Sequence, residues 1–235
     1  MEGKKKHDLG PGPGIEESQE ARETREKIVS LFDKLKRDEV TAREADDTLT
    51  NLLRTGMHHL SEGLRWLAPP RAPGNDDDAL PLVNSSFSWI LQVSEYLKAG
   101  DTIYDLGCGV GHVALPLALR HQDCRVVGIE RHPGRVRYAR EQAQRLGVDN
   151  CSFICGSADE EDLSRGTFFY LYHPFDGQTL ERVLRRISSL AGTRTFFVTP
   201  FDLAPHLRDY FPIQQEKQTQ GTAPDKIYYL ETGRV

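Results

Sequence analysis

The sequence predicts an α/β fold: a doubly wound, mostly parallel sheet with a C-terminal antiparallel hairpin, plus an N-terminal helical extension. Short apolar runs alternate with helical stretches after residue 100, a pattern typical of βαβ units. The apolar runs are nearly continuous, so helices are expected to cover both faces of a parallel sheet. Near the C-terminus, the segments 211–218 and 226–231 surround a loop and predict the hairpin.

The composition fits one α/β domain with a helical extension. Hydrophobic residues make up 38% of the 235 residues and charged residues 28%, enough for an ordinary buried core. A formal net charge of -5 and a pI near 5.9 argue against a domain built to bind phosphate backbones. The sequence predicts no signal peptide and no membrane span. Four cysteines without paired CxxC spacing predict neither a disulfide framework nor a metal site, and we expect a cytoplasmic protein.

Composition divides the chain into three parts. Residues 1–14 are a run rich in Lys, Gly and Pro, which predicts a disordered tail. Residues 15–84 predict a helical extension followed by a linker, because 68–84 is rich in Pro, Asp and Asn, which are typical of loops. Residues 85–235 carry the alternating strands and helices and form the predicted α/β domain.

The extension predicts two amphipathic helices. Apolar positions from Ile28 to Leu35 recur at helical spacing and define the first helix. The segment Thr41-Ala-Arg-Glu44 is a capping box that begins the second, whose apolar stripe runs as far as Leu67.

The α/β domain predicts five parallel strands and four helices between them. The strands are placed at 102–106, 125–130, 152–155, 168–172 and 195–199. The helices are placed after a short helix around Trp89, with starts near Gly111, Pro133, Asp159 and Asp176.

The strongest chemical signal follows the first strand, where the sequence reads Tyr104-Asp105-Leu106-Gly107-Cys108-Gly109-Val110-Gly111. A dinucleotide-binding fingerprint needs glycines at relative positions 1, 3 and 6, and the third of these positions is His112. The pattern is G-x-G-x-G instead, with an acidic residue two places before the first glycine. This favours a cofactor with a cationic amino-acid end and disfavours, without excluding, an NAD-dependent oxidoreductase.

At these residues the sequence resembles the class I (seven-strand, Rossmann-like) S-adenosylmethionine-dependent methyltransferases. The resemblance implies S-adenosyl-L-methionine as cofactor, no metal, and methyl transfer to a nucleophile. It implies that the cofactor is bound by the first-strand residues Asp105, Gly107, Cys108, Gly109 and Gly111. From the residues alone, Cys108 is favoured as a small packing residue over a nucleophile.

The resemblance extends to the next two strand ends. It implies that Glu130, after the second strand, accepts both ribose hydroxyls, with Arg131 beside it. It implies that Asp159, with Ala158, contacts the adenine amino group after the third strand, although Asp162 in the same acidic run is a rival. The third strand also carries Cys151 and Cys155, which alternate with Phe153 and are interpreted as core residues.

The fourth strand ends in Tyr172-His173-Pro174-Phe175, where catalytic residues are expected. Amine-directed members of the family often have Asn/Asp-Pro-Pro-aromatic here, so adenine or glutamine N-methylation is not carried over. His173 can accept a proton from the nucleophile as a neutral imidazole, or it can cap the following helix. Tyr172 can contact the substrate or belong to the aromatic core.

The distribution of basic residues predicts the class of methyl acceptor and of binding partners. Helical arginines are interpreted as solvated faces rather than a nucleic-acid groove: Arg137, Arg140, Arg145, Arg182, Arg185 and Arg186. A protein side chain or a small molecule is therefore favoured as acceptor, and nucleic acid is unlikely. The alternative is a catalytically silent module that binds the cofactor and acts through protein-protein interaction. The oligomeric state stays open.

Overall fold

The computed structural model describes residues 18–53, 85–172, 177–199, 201–218 and 225–232. In these residues one seven-stranded sheet has the order β3-β2-β1-β4-β5-β7-β6. The strands are β1 (Thr102–Leu106), β2 (Arg125–Glu130), β3 (Cys151–Cys155), β4 (Phe168–Tyr172), β5 (Arg194–Thr199), β6 (Ile213–Gln218) and β7 (Lys226–Glu231). Strands β1 to β5 are parallel to one another, whereas β7 runs antiparallel to both β5 and β6. The predicted fold class is confirmed.

Helices cover both faces of this sheet. They are α1 (Gln19–Lys36), α2 (Ala42–Leu52), α3 (Phe87–Tyr96), α4 (Ala114–Arg120), α5 (Pro133–Arg145), α6 (Gly177–Ser188) and the short α7 (Ala204–Leu207). One apolar cluster joins α1 to α5 with one face of the sheet, and a second joins α6 and α7 with the other. All seven strands were predicted to within two residues at each end.

The N-terminal helices share a core with the α/β domain. Phe32 of α1 packs edge-to-face on Phe87 of α3, with ring centroids 4.8 Å apart. Asp33 forms an ion pair with Arg120 at the end of α4, at 2.8 Å. Because Ile28, Phe32 and Leu49 are fully or almost fully buried against these elements, α1 and α2 are part of the folded body.

The second helix ends earlier than predicted. Its capping box is present, with Thr41 and Glu44 bonding reciprocally, but α2 ends at Leu52 rather than near Leu67. The Arg145 guanidinium donates to the carbonyl of Leu52 at 2.9 Å, and the Tyr138 hydroxyl donates to the carbonyl of Leu53 at 3.2 Å. Side chains of α5 therefore take the carbonyls that a longer helix would use. The predicted tail 1–14, the rest of the predicted stripe at 54–67 and the linker 68–84 lie outside the described residues.

The predicted helix at Asp159 is wrong, because this segment forms only a turn. The amides of Glu160 and Glu161 both donate to the carbonyl of Ser157, which closes the turn. Arg186 of α6 then donates to the carbonyls of Ala158 at 3.3 Å and Glu161 at 2.5 Å. These carbonyls would have to accept backbone amides if a helix continued.

Candidate cofactor and active site

The glycine-rich loop needs glycine for its backbone conformation. Gly107, Gly109 and Gly111 have φ values of 81°, 53° and 84°, in the left-handed region that other residues rarely adopt. A Cβ atom on Gly111 would also lie 3.0 Å from Cζ of Phe153. The loop therefore turns tightly from β1 into α4 while packing against β3.

The amides of this loop are used within the protein. Those of Gly107 and Cys108 donate to the carbonyl of Ile129, at 2.8 Å and 3.1 Å. The amide of Gly111 donates to the carbonyl of Cys108 at 2.9 Å, and that of Gly109 donates to the Glu130 carboxylate at 3.1 Å. A pyrophosphate site needs such amides directed at the ligand, so the geometry disfavours the dinucleotide alternative.

Asp105 lies at the base of the loop with one carboxylate oxygen unsatisfied. Its side chain is buried, and Oδ2 has no hydrogen-bond partner among the described residues. Burial raises the pKa of Asp105 to about 7, the negative charge of Glu130 adds to this, and a hydrogen bond from the Ala114 amide opposes it. An orphaned buried acceptor needs a donor, and the ammonium group of an amino-acid cofactor supplies one with the complementary charge.

Glu130 lies at the end of β2, beside the loop. Its Oε2 accepts the Gly109 amide, and its Oε1 accepts the His132 amide at 2.9 Å. Arg135 forms a buried ion pair with Oε2 at 3.8 Å. A carboxylate oxygen can accept two hydrogen bonds, and each oxygen of Glu130 accepts one amide here, so both can still accept a ribose hydroxyl. Glu130 is only 7% exposed, more enclosed than a solvated carboxylate at an open strand end.

The loop after β3 is held by α6. The Asp159 carboxylate accepts the Ser157 hydroxyl and pairs with Nε of Arg182 at 2.6 Å. Burial raises the pKa of Asp159, but hydrogen bonds from Ser157 and Arg182 and the Arg182 charge outweigh it, so the net shift is downward. Ala158 is buried, and Arg131 is exposed at the neighbouring strand end. Asp162 is exposed and accepts the amide of Ser164.

The expected catalytic pair is described only in part, because His173 lies outside the described residues. Tyr172 is partly buried at the end of β4 and packs edge-to-face on Trp89, with ring centroids 4.9 Å apart. Burial and then the charge of Asp225 raise the pKa of Tyr172. The phenol therefore holds its proton near neutral pH and suits a substrate-contacting wall better than a base.

The cysteines follow the core prediction only in part. Cys108 is buried, and burial raises the pKa of its thiol well above the usual range, which fits a packing role. Gly128 of β2 makes room for it, since a Cβ there would lie 2.7 Å from Cys108 Sγ. Cys155, however, is exposed and Cys151 only partly buried, so the core interpretation of Cys155 is wrong. Strand β3 is at the edge of the sheet, where one side of the strand has no neighbour.

Several polar residues around Asp105 and Glu130 were not found from the sequence. Arg135 is one helix position among many, and no spacing predicts that it turns inward to Glu130. His112 is buried, its ring contacts the backbone of Ser85, and burial lowers its pKa to about 4. Tyr170 is buried beside Asp105 across the β1 and β4 register and donates to the Ser85 hydroxyl at 2.8 Å. These contacts depend on tertiary packing.

Potential metal ligands meet at the opposite end of the sheet. In the part of the chain that the structure describes, one ligand atom each of His121, Asp123 and Cys124 lie within 4.8 Å of one another. His121 already bonds to the Ser94 hydroxyl at 2.7 Å, and the Cys124 thiol donates to the Lys98 carbonyl at 3.3 Å. This group is separate from the glycine-rich loop.

Comparison with known proteins identifies the class. Residues 97–193 match the family model for a methyltransferase domain. The chain is similar to the precorrin-6y C5,15-methyltransferase of Geobacter metallireducens, with a TM-score of 0.57 and 14% identity over 67% of this chain and 96% of that one. It is also similar to an RNA methyltransferase of Salinibacter ruber solved with S-adenosyl-L-homocysteine, with a TM-score of 0.54 and 25% identity over 65% of this chain and 95% of that one. The fold is thus that of the class I methyltransferases.

A curated relative gives the same result. A 23S rRNA (uracil(1939)-C(5))-methyltransferase of Klebsiella pneumoniae is 33% identical over 150 residues, 60% of this chain and 32% of the relative. The chain spans about a third or less of the length of this and two similar rRNA methyltransferases. With the motif, the match to the family model shows that residues 97–193 form a methyltransferase domain of the S-adenosylmethionine-dependent kind, with S-adenosyl-L-methionine as its cofactor. In the described residues, no helix is long and apolar enough to cross a membrane.

Proposed function

We propose that this protein transfers the methyl group of S-adenosyl-L-methionine to a nucleophilic acceptor bound beside the ends of β4 and β5. The observation that carries the proposal is the unsatisfied Oδ2 of buried Asp105 beneath the glycine-rich loop. An isolated buried carboxylate is costly, and a bound ammonium group offsets that cost. The Glu130 carboxylate at the next strand end provides the second anchor.

Each part of the cofactor has a group of residues that fits it. Asp105 receives the amino group, and Gly107, Cys108, Gly109 and Gly111 let the backbone approach the amino-acid chain. Glu130 receives the ribose hydroxyls through the acceptor capacity that Gly109 and His132 leave. Ala158 and Asp159 border the adenine, with Arg131 at the rim. The ion pair with Arg182 supports a fixed orientation of the Asp159 carboxylate.

The cofactor supplies the electrophile as a methyl sulfonium, so the chain has to align the acceptor and dispose of at most one proton. Tyr172, braced by Trp89, is proposed as the wall against which the acceptor packs. His173, the next residue, is proposed to take the proton as a neutral imidazole. Substituting His173 by Gln tests this role, because methyl transfer should slow while cofactor affinity stays the same.

For the acceptor, we propose a protein side chain or a small molecule. The net charge of -5 supports this, and so do the inward contacts of helical arginines. Arg140 donates to the carbonyl of Phe153 at 2.6 Å, and Arg186 holds the loop after β3. These two guanidinium groups bond to backbone carbonyls of the protein, so they do not belong to a basic surface open to phosphates.

RNA is the second candidate, since two of the similar proteins above act on RNA according to their names. Incubation of the protein with labelled cofactor and fractionated lysate separates the two. Label in a protein or small-molecule fraction supports the first proposal, and label removed by ribonuclease supports the second. Cofactor binding with no release of S-adenosylhomocysteine from any fraction would indicate a silent binding module instead.

The four free cysteines support a reducing, cytoplasmic compartment.

A further inference from the structure

Asp46 of the N-terminal extension caps a helix of the α/β domain. One of its carboxylate oxygens accepts the amide of Phe87, the first residue of α3, and the other accepts the Ser86 hydroxyl at 3.2 Å. Ser86 is itself the N-cap residue of α3. The Asp46 carboxylate thus adds an anion, from outside the helix, to the positive end of the α3 dipole.

The residue before this cap contacts the predicted cofactor site. The Ser85 hydroxyl accepts from Tyr170 at 2.8 Å, and its backbone bonds to the buried His112 ring. His112 directly follows the last glycine of the loop, and Tyr170 is the β4 partner of Asp105 in the sheet register. Ser85 therefore links α3 both to the end of the glycine-rich loop and to the strand beside Asp105.

We propose that Asp46 is a positioning residue for the amino-acid end of the cofactor. By fixing Ser86 and Phe87 it holds Ser85, which in turn holds His112, the residue after the glycine-rich loop, and Tyr170, the neighbour of Asp105 in the sheet register. This proposal rests on the proposed function, and it gives the N-terminal extension a role in cofactor binding.

The contacts divide the cofactor site into two regions. Asp46 reaches the Asp105 side through Ser85, whereas Glu130 and the loop after β3 are held by Arg135, Arg182 and Arg186. A change at Asp46 should therefore affect a ligand that carries the amino acid more than one that lacks it. S-adenosylhomocysteine and 5′-methylthioadenosine differ in this part of the molecule.

The test is calorimetric titration of both ligands into the full chain, at a temperature where circular dichroism shows each variant folded. Asp46→Ala is expected to weaken S-adenosylhomocysteine about 5- to 20-fold and 5′-methylthioadenosine less than about twofold. Asp46→Asn should restore most of the affinity, because the amide oxygen can accept from Phe87 and the amide nitrogen can donate to Ser86. The control is Asp47→Ala, an exposed neighbour on α2, which should change neither affinity.

The outcomes separate this proposal from the proposed function. If wild type binds neither ligand, the proposed function fails and this inference fails with it. If wild type binds both and Asp46→Ala weakens both equally or not at all, only the positioning role is overturned. Loss of affinity in Asp46→Asn as large as that in Asp46→Ala would also overturn it, since the asparagine keeps the cap geometry.

Discussion

At the scale of single residues, the two carboxylates that we propose hold the cofactor have different surroundings. The Gly109 amide and Arg135 contact one oxygen of Glu130 and the His132 amide bonds to the other, so its orientation is fixed before a ligand arrives. Asp105 keeps an unsatisfied oxygen and a raised pKa. Glu130 is thus preorganised, whereas Asp105 is proposed to gain its partner only when the cofactor binds.

Glu130→Gln should weaken cofactor binding by about 1.5–3 kcal/mol, or roughly 10- to 150-fold. The amide keeps one acceptor oxygen and turns a donor toward a ribose hydroxyl. Because Glu130 is buried beside Arg135, the substitution should also lower the free energy of unfolding by about 1–3 kcal/mol. Affinity is measured by calorimetry on folded protein. Glu141→Gln, exposed on α5, is the control and should change neither quantity. Wild-type affinity in Glu130→Gln would refute the ribose assignment.

S-adenosylhomocysteine should stabilise the protein more at pH 7.5 than at pH 5.5. The pKa of Asp105 is raised to about 7, so its ionised form, which the ligand's ammonium needs, is mostly present only at the higher pH. Thermal unfolding with and without ligand measures this difference. Asp105→Asn should bind weakly and lose the pH dependence. An equal shift at both pH values in wild type would argue against contact between Asp105 and the amino group.

At the scale of elements, α6 supports the loop after β3, which we propose borders the adenine. Its buried residues face the sheet, while Arg182 and Arg186, one turn apart on the helix, reach the loop after β3. The sequence predicted α6. The spacing of its apolar residues does not distinguish an arginine exposed to solvent from one that bonds to a neighbouring loop. The same limit explains the incorrect helix at Asp159, where acidic residues that favour a helix start instead form a turn held by Arg186.

Arg186→Met should weaken S-adenosylhomocysteine and 5′-methylthioadenosine by a similar factor, about three- to tenfold. The substitution removes the hydrogen bonds to the carbonyls of Ala158 and Glu161, which belong to the adenine side shared by both ligands. Isothermal titration of the two ligands checks this. Arg185→Met on the exposed side of the same helix serves as the control. Selective loss of S-adenosylhomocysteine alone would contradict the division of the site.

At the scale of the whole molecule, the extension, the sheet and the cofactor site form one body. The strands and the G-x-G-x-G motif were predictable because they depend on local pattern, and the position of the site follows from strands that end at one edge. The links between Asp46, Ser85 and His112 were not predictable, since they join segments far apart in sequence. The early end of α2 is of the same kind, because Arg145 and Tyr138 of another helix take its last carbonyls.

Two buried groups should give opposite responses to acid between pH 6.5 and 4. The pKa of His112 is lowered to about 4, so the stability it contributes is present above its unfolded pKa and lost as pH falls. The pKa of Asp105 is raised to about 7, so its protonation stabilises the ligand-free protein as pH falls in the same range. Asp105→Asn should therefore lose stability on acidification more steeply than wild type, by about 2 kcal/mol. Urea unfolding at several pH values measures this. An equal dependence of the free energy of unfolding on pH in wild type and Asp105→Asn would contradict it.

The central claim is that Asp105, the glycine-rich loop and Glu130 form an S-adenosylmethionine site. The most direct measurement is calorimetric titration of the folded, full-length protein with S-adenosylhomocysteine, beside the same titration with NAD. We predict saturable one-to-one binding of S-adenosylhomocysteine well below millimolar concentration and no binding of NAD. Failure to bind S-adenosylhomocysteine at millimolar concentration, or tighter binding of NAD, would contradict the account.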